Sequence, residues 1–128
     1  MPKAKLDKRR EKRIQDEILV DAYTSEEQAL GWYYYLQDKL HCPFLARCIS
    51  SRPISPLRRG QEVCVEGQPP EEECYREMFV TVSWDDQTLA VPLEQLEPVR
   101  ADKTTRQAIE DWHYWLRQSY EFLGTPWS

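Results

Sequence analysis

Residues 78–92, Met-Phe-Val-Thr-Val-Ser-Trp-Asp-Asp-Gln-Thr-Leu-Ala-Val-Pro, decide the fold. Met78, Val80, Val82 and Trp84 fall at every second position, the period of a strand that buries one face. Asp85-Asp86-Gln87 has the composition of a turn. Thr88–Val91 then reads as the return strand, stopped by Pro92, which cannot donate to a ladder. The stretch is therefore expected to be an antiparallel hairpin with an acidic tip.

Working outward, Gln61–Glu66 is a second short strand with Val63 and Val65 on one side, and Phe44–Ile49 is a third, with Phe44, Ala46 and Cys48 alternating against Leu45, Arg47 and Ile49. Between them Ser50–Gly60 carries two prolines and a glycine and reads as a loop. The acidic segment Gly67–Glu77, with Pro69-Pro70 ahead of Glu71-Glu72-Glu73, is excluded from a strand by its prolines and charge. After the hairpin, Leu93–Val99 reads as a helical turn followed by a last short strand. Short strands with turns at this spacing, in this order, resemble an SH3-like barrel.

Helices flank the strands. In Asp21–Leu40 either Thr24 or Ser25 is placed to cap a helix, and Glu26 and Glu27 in its first turn complement the positive end of the dipole. Ala29, Trp32 or Tyr33, Leu36 and Leu40 give it an apolar face. At about 100° per residue Asp38 is turned away from that face, in the last turn, where it reads either as a solvated acid or as a hard-cation ligand, since free carbonyl oxygens lie beside its carboxylate. The helix is expected to end before His41-Cys42-Pro43, because proline pushes its predecessor out of the helical region. A final helix starts at Asp102 or Thr104; Ile109, Trp112, Leu116 and Tyr120 form its stripe, and Tyr114, Trp115, Phe122 and Trp127 add aromatic area. The fold class is thus α+β, a small antiparallel SH3-like β-barrel packed with an N-terminal and a C-terminal helix.

At 128 residues the chain has the length of one domain. Its net charge of -5 conceals an asymmetry: residues 1–16 hold seven Lys and Arg against three acids, so residues 17–128 carry -9. Residues 1–13 are read as a basic flexible arm, and residues 14–128 as a single domain. An acidic body attracts cations and disfavours nucleic acid and anionic lipid, while the arm is suited to a phosphate backbone or an acidic surface. With no apolar run of membrane-spanning length and no hydrophobic stretch behind the N-terminal charges, the location is read as cytoplasmic.

Cys42, Cys48, Cys64 and Cys74 are then reduced thiols. They are separated by five, fifteen and nine residues, without a Cys-x-x-Cys knuckle, so small buried residues are a better reading than zinc ligands. The histidines, His41 and His113, have no sequence context that pairs them with a nucleophile, and there is no phosphate loop, dinucleotide fingerprint or His-Glu-x-x-His. Catalysis is not expected. The carboxylates remain: Glu71, Glu72, Glu73 and the tip residues Asp85 and Asp86 lie on loops whose oxygens suit calcium, which takes roughly six to eight of them, although no EF-hand pattern is present.

Several blocks together carry a resemblance. They are Asp21–Leu40 with its Gly31-Trp-Tyr-Tyr-Tyr-Leu36 core, Cys42-Pro-Phe44, Ser55-Pro-Leu57, Glu77-Met-Phe-Val80, Leu89-Ala-Val-Pro-Leu93 and Asp111-Trp-His-Tyr-Trp115. From about residue 18 to residue 123 the chain resembles the CcbP-type calcium-binding proteins, small acidic bacterial proteins without EF-hands. The resemblance implies a compact fold of helices and strands that binds Ca2+ through acidic residues of one surface. Its Tyr-Tyr-Tyr-Leu-x-Asp pattern assigns the strongest site to Asp38. Glu71, Glu72, Glu73, Asp85 and Asp86 are candidates by chemistry. The expected function is calcium buffering or sensing in the cytoplasm, with a possible protein partner besides the ion; the alternative is an SH3-like protein-interaction module that uses exposed aromatics or the basic arm and holds no metal.

Overall fold

A computed structural model describes residues 6–118. Tyr120, Phe122 and Trp127 lie outside the described residues. Five strands, β1 (Phe44–Cys48), β2 (Glu62–Gly67), β3 (Phe79–Trp84), β4 (Gln87–Pro92) and β5 (Leu96–Arg100), form one antiparallel sheet in the order β4-β3-β2-β1-β5. The first four strands make a meander. The last returns, after a 3-10 turn at Leu93–Gln95, to the free edge of β1.

Register follows the alternation read in the sequence. Val80 and Val82 face Val91 and Leu89 across the β3–β4 hairpin, and Phe44 and Ala46 face Val65 and Val63 across β1–β2. All but the partly buried Leu89 are buried, so the apolar residues share the core side of the pleat. The expected barrel does not form: β4 and β5 remain at opposite edges, and the sheet is open. Helices cover the core face that strand closure would otherwise have to enclose, which leaves no need for the edges to meet.

α2 (Ser25–Lys39) begins at a capping box. The Thr24 hydroxyl accepts from the Glu27 N–H at 3.1 Å, and the Glu27 carboxylate accepts from the Thr24 N–H at 3.0 Å. α3 (Lys103–Arg117) is capped by Asp102, whose carboxylate accepts from the Thr105 N–H at 2.8 Å. The two helices meet through indoles. Trp32 and Trp112, both fully buried, cross edge to face with centroids 5.0 Å apart, and Trp112 stacks on Trp115 at 5.5 Å.

Within the segment read as a flexible basic arm, Lys8–Arg13 is a helix, α1, capped by Asp7 and continued by a π-helical turn at Ile14–Ile18. Its order has an electrostatic cause. Asp111 of α3 is fully buried, and Arg10 donates to it at 2.8 Å while Arg13 forks onto both its oxygens at 2.7 and 3.0 Å. A buried carboxylate needs such partners, and the basic segment supplies the charged ones. Ile14 and Ile18 of the turn that follows are buried in the core. The Ile18 carbonyl presses against Gly31 in the middle of α2, where a side chain would not fit.

Candidate metal centre

Three consecutive tyrosines of α2 organise the surroundings. Helical rotation points them in different directions, and each hydroxyl finds a different partner. Tyr33 donates to the Pro69 carbonyl at 2.6 Å, Tyr34 donates to the Glu71 carboxylate, and Tyr35 donates to Asp111 at 2.9 Å. Gln68 completes the attachment by donating to the Tyr33 carbonyl at 3.1 Å. The acidic segment is therefore held against the helix.

Glu71–Cys74 forms a single 3-10 turn with Pro70 at its cap. Glu72 and Glu73 are exposed, and Glu71 is half-buried beneath Tyr34. The negative potential of the turn registers on its neighbours. Burial first, then Cys74 and the three glutamates, pushes the Tyr33 phenol up. The hydrogen bond to Glu71 holds the Tyr34 phenol up, and the Tyr75 phenol is raised by desolvation and by Glu26, Glu71 and Glu72. Glu26, from the first turn of α2, thus joins the acidic surface.

Asp38 lies in the last turn of α2, as expected, with its side chain 75% exposed and Lys39 as an ion-pair neighbour at 3.4 Å. The end of the helix is less open than the sequence implies. The Leu36 carbonyl accepts from the Leu40 N–H, and the Lys39 carbonyl accepts from the Thr105 hydroxyl at 3.3 Å. Asp85 and Asp86 form the hairpin tip, both exposed and both at positive φ, 48° and 62°, as a primed turn requires. Glu66 accepts from Ser83 and from Thr88 on the two strands that lead to this tip.

No group of three or more His, Cys, Asp or Glu side chains closes into a metal cage among the described residues. The structure brings Glu71, Glu72 and Glu73 together on one turn and gathers Asp85 with Asp86. Among the described residues no hydrogen bond or ion pair joins those two groups or links either of them to Asp38. The donor chemistry nevertheless suits calcium: the turn offers carboxylate and hydroxyl oxygens, while the thiol of neighbouring Cys74 is directed to the backbone of Phe79 at 3.5 Å.

The softer donors lie elsewhere. Cys48 and Cys74 are buried, Cys42 and Cys64 half-buried, and all four are free thiols. Burial raises the Cys42 and Cys74 thiols, which opposes thiolate chemistry. His113 is lowered by burial, and its Nε2 lies 2.7 Å from the Leu96 carbonyl oxygen, a packed position. His41 pairs with Asp102. Sequence reasoning missed Tyr34 as the donor that fixes Glu71, and Glu26 as a member of the acidic surface. A signal existed, since three successive helical tyrosines cannot all face one core and those that do not need partners of their own.

The model of the CcbP calcium-binding family matches residues 12–116. Among solved structures, Anabaena CcbP is 38% identical, with a TM-score of 0.85 over 95% of this chain and 100% of that one. A calcium-binding protein in the calcium-binding form is 39% identical, with a TM-score of 0.77 over 91% of this chain and 95% of the other. No curated protein matches. No helix among the described residues is long and apolar enough to cross a membrane.

Proposed function

The chain belongs to the CcbP family of calcium-binding proteins, and we propose that it takes Ca2+ on the acidic side of α2, with Asp38 and the Glu71–Glu73 turn as the principal oxygen donors. One observation carries this placement. Tyr34 and Asp38 are four residues apart on one face of α2, and Tyr34 binds Glu71, so the turn and Asp38 border the same stripe of helix. Water completes the coordination of an ion held by so open a set of carboxylates. Asp85 and Asp86, with Glu66 behind them, form a second and weaker site at the hairpin tip.

The role is calcium buffering in the cytoplasm. Four free thiols support a reducing compartment, and three successive tyrosines fasten α2 to its surroundings, which favours uptake of the ion with little rearrangement over a sensor's large opening. The activity is binding without catalysis. Titration calorimetry of chelator-treated protein is expected to show saturable calcium binding that weakens in Asp38→Asn and in the triple Glu71→Gln, Glu72→Gln, Glu73→Gln variant. Unchanged affinity in both variants would overturn the placement. Binding that magnesium displaces at equal concentration would overturn a calcium-specific site.

A further inference from the structure

On a body whose residues 17–128 sum to -9, one cleft has the opposite character. It lies between α1 and the first half of α3, has a volume of about 300 Å3, and is lined by Arg9, Arg10, Arg13, Lys103 and Arg106. A second depression of about 270 Å3 shares Arg13, Lys103 and Gln107 with it and adds Lys39 and Glu17. Asp7 and Glu110 are the acids of the first cleft, and Asp111 lies beneath it. Asp111 is already taken by Arg10, Arg13 and Tyr35. Arg10 also lies 3.6 Å from Asp7 and 3.7 Å from Glu110.

The remaining cations are not engaged in this way. Among the described residues Arg9 and Lys103 have no ion-pair partner, and the Arg106 guanidinium donates to the Pro98 carbonyl at 3.4 Å with no carboxylate paired to it. Five positive charges against three acids leave the cleft with a surplus, in the one part of the fold where the buried Asp111 holds the guanidinium groups in place. Arginine guanidinium groups suit a tetrahedral oxyanion, which they meet through paired N–H donors, and a lysine adds a point charge. Among the described residues the lining of the first cleft contains no aromatic ring on which a nucleobase would stack.

We propose that this cleft is a binding site for a compact phosphate-bearing anion, with Arg9, Lys103 and Arg106 as its direct donors and Arg10 and Arg13 as a fixed positive floor. The ligand class is a small inorganic polyanion such as pyrophosphate. A duplex would need a longer basic track than the space between two short helical segments provides. The site does not depend on where calcium binds.

The test is titration calorimetry of the full chain with pyrophosphate at low salt, in calcium-free protein because calcium itself complexes phosphates. Arg9→Gln with Lys103→Gln is the variant; both residues are exposed, so the fold is expected to persist. Saturable binding that falls at least about tenfold in the double variant, with amide shifts confined to residues 7–13 and 103–110, supports the site. Heat no larger than dilution, or an unchanged affinity in the double variant, overturns it. Binding to duplex DNA with no response to pyrophosphate overturns the ligand class.

Discussion

A methyl group on Gly31 would run into the carbonyl oxygen of Ile18. Gly31 lies inside α2, where glycine costs about 1 kcal/mol relative to alanine, so its presence reflects the close approach of the π-helical turn. Gly31→Ala is expected to be destabilising in spite of the better helix propensity. The obstacle is backbone rather than a flexible side chain, and a net loss of about 1–2 kcal/mol follows. A urea midpoint equal to or above that of the wild type would contradict it.

Asp111→Asn keeps the shape of the side chain and removes its charge, leaving Arg13 without its counter-ion and Arg10 with only the more exposed Asp7 and Glu110; both guanidinium side chains are about four-fifths buried. Breaking a buried pair from one side costs about 3 kcal/mol. The loss should be local first. Hydrogen exchange at Lys8–Arg13 is expected to accelerate more than at β1–β3, and uniform acceleration would show that the pair serves the whole core instead of docking α1.

Asp102 sits at a helix cap. The Thr105 N–H and the His41 side chain hold its carboxyl down from the ordinary 3.8 to about 2. Because the folded pKa is depressed, this stabilising contribution is complete above pH 4 and disappears as the pH falls from about 4 to 2. Asp102→Ala is therefore expected to lower the urea midpoint at pH 6 and to approach the wild-type midpoint at pH 2. A deficit that is the same at both values would rule out the charge as its origin.

Burial at Tyr33 and Tyr75 and the Glu71 hydrogen bond at Tyr34 raise these phenols first, and calcium bound by the Glu71–Glu73 turn cancels part of what the nearby carboxylates add. A spectrophotometric titration of the phenols is expected to move toward lower pH when calcium is present, with the Tyr34→Phe variant losing part of the shift. If calcium binds and the phenol titration does not move, the ion sits away from this turn.

Much of the architecture was legible because it rests on local rules. Period two marked Val80, Val82, Val63 and Val65, turn chemistry marked Asp85-Asp86, and capping marked Thr24 and Asp102. Closure of the sheet was not legible, since alternation describes a strand's faces and says nothing about which edges meet. The docking of α1 was hidden for a related reason. A carboxylate at residue 111 reads as solvent-facing by type, and only the fold places it beneath Arg10 and Arg13. At the proposed metal centre Asp38 and Glu71 are 33 positions apart in sequence, and the Tyr34 hydroxyl that holds Glu71 against the helix belongs to a residue whose aromaticity suggested packing.

The three tyrosine hydroxyls of α2 tie it to Pro69, to Glu71 and to Asp111, and thereby to both the acidic segment and α3. Turning the helix by a single residue would present each anchor with the wrong neighbour, so all three attachments would be lost in one step. α2 consequently behaves as a keyed shaft: an inserted or deleted residue within 33–35 dismantles the acidic turn and the docked N-terminal helix together. The acidic and basic surfaces of the protein share one registration mark.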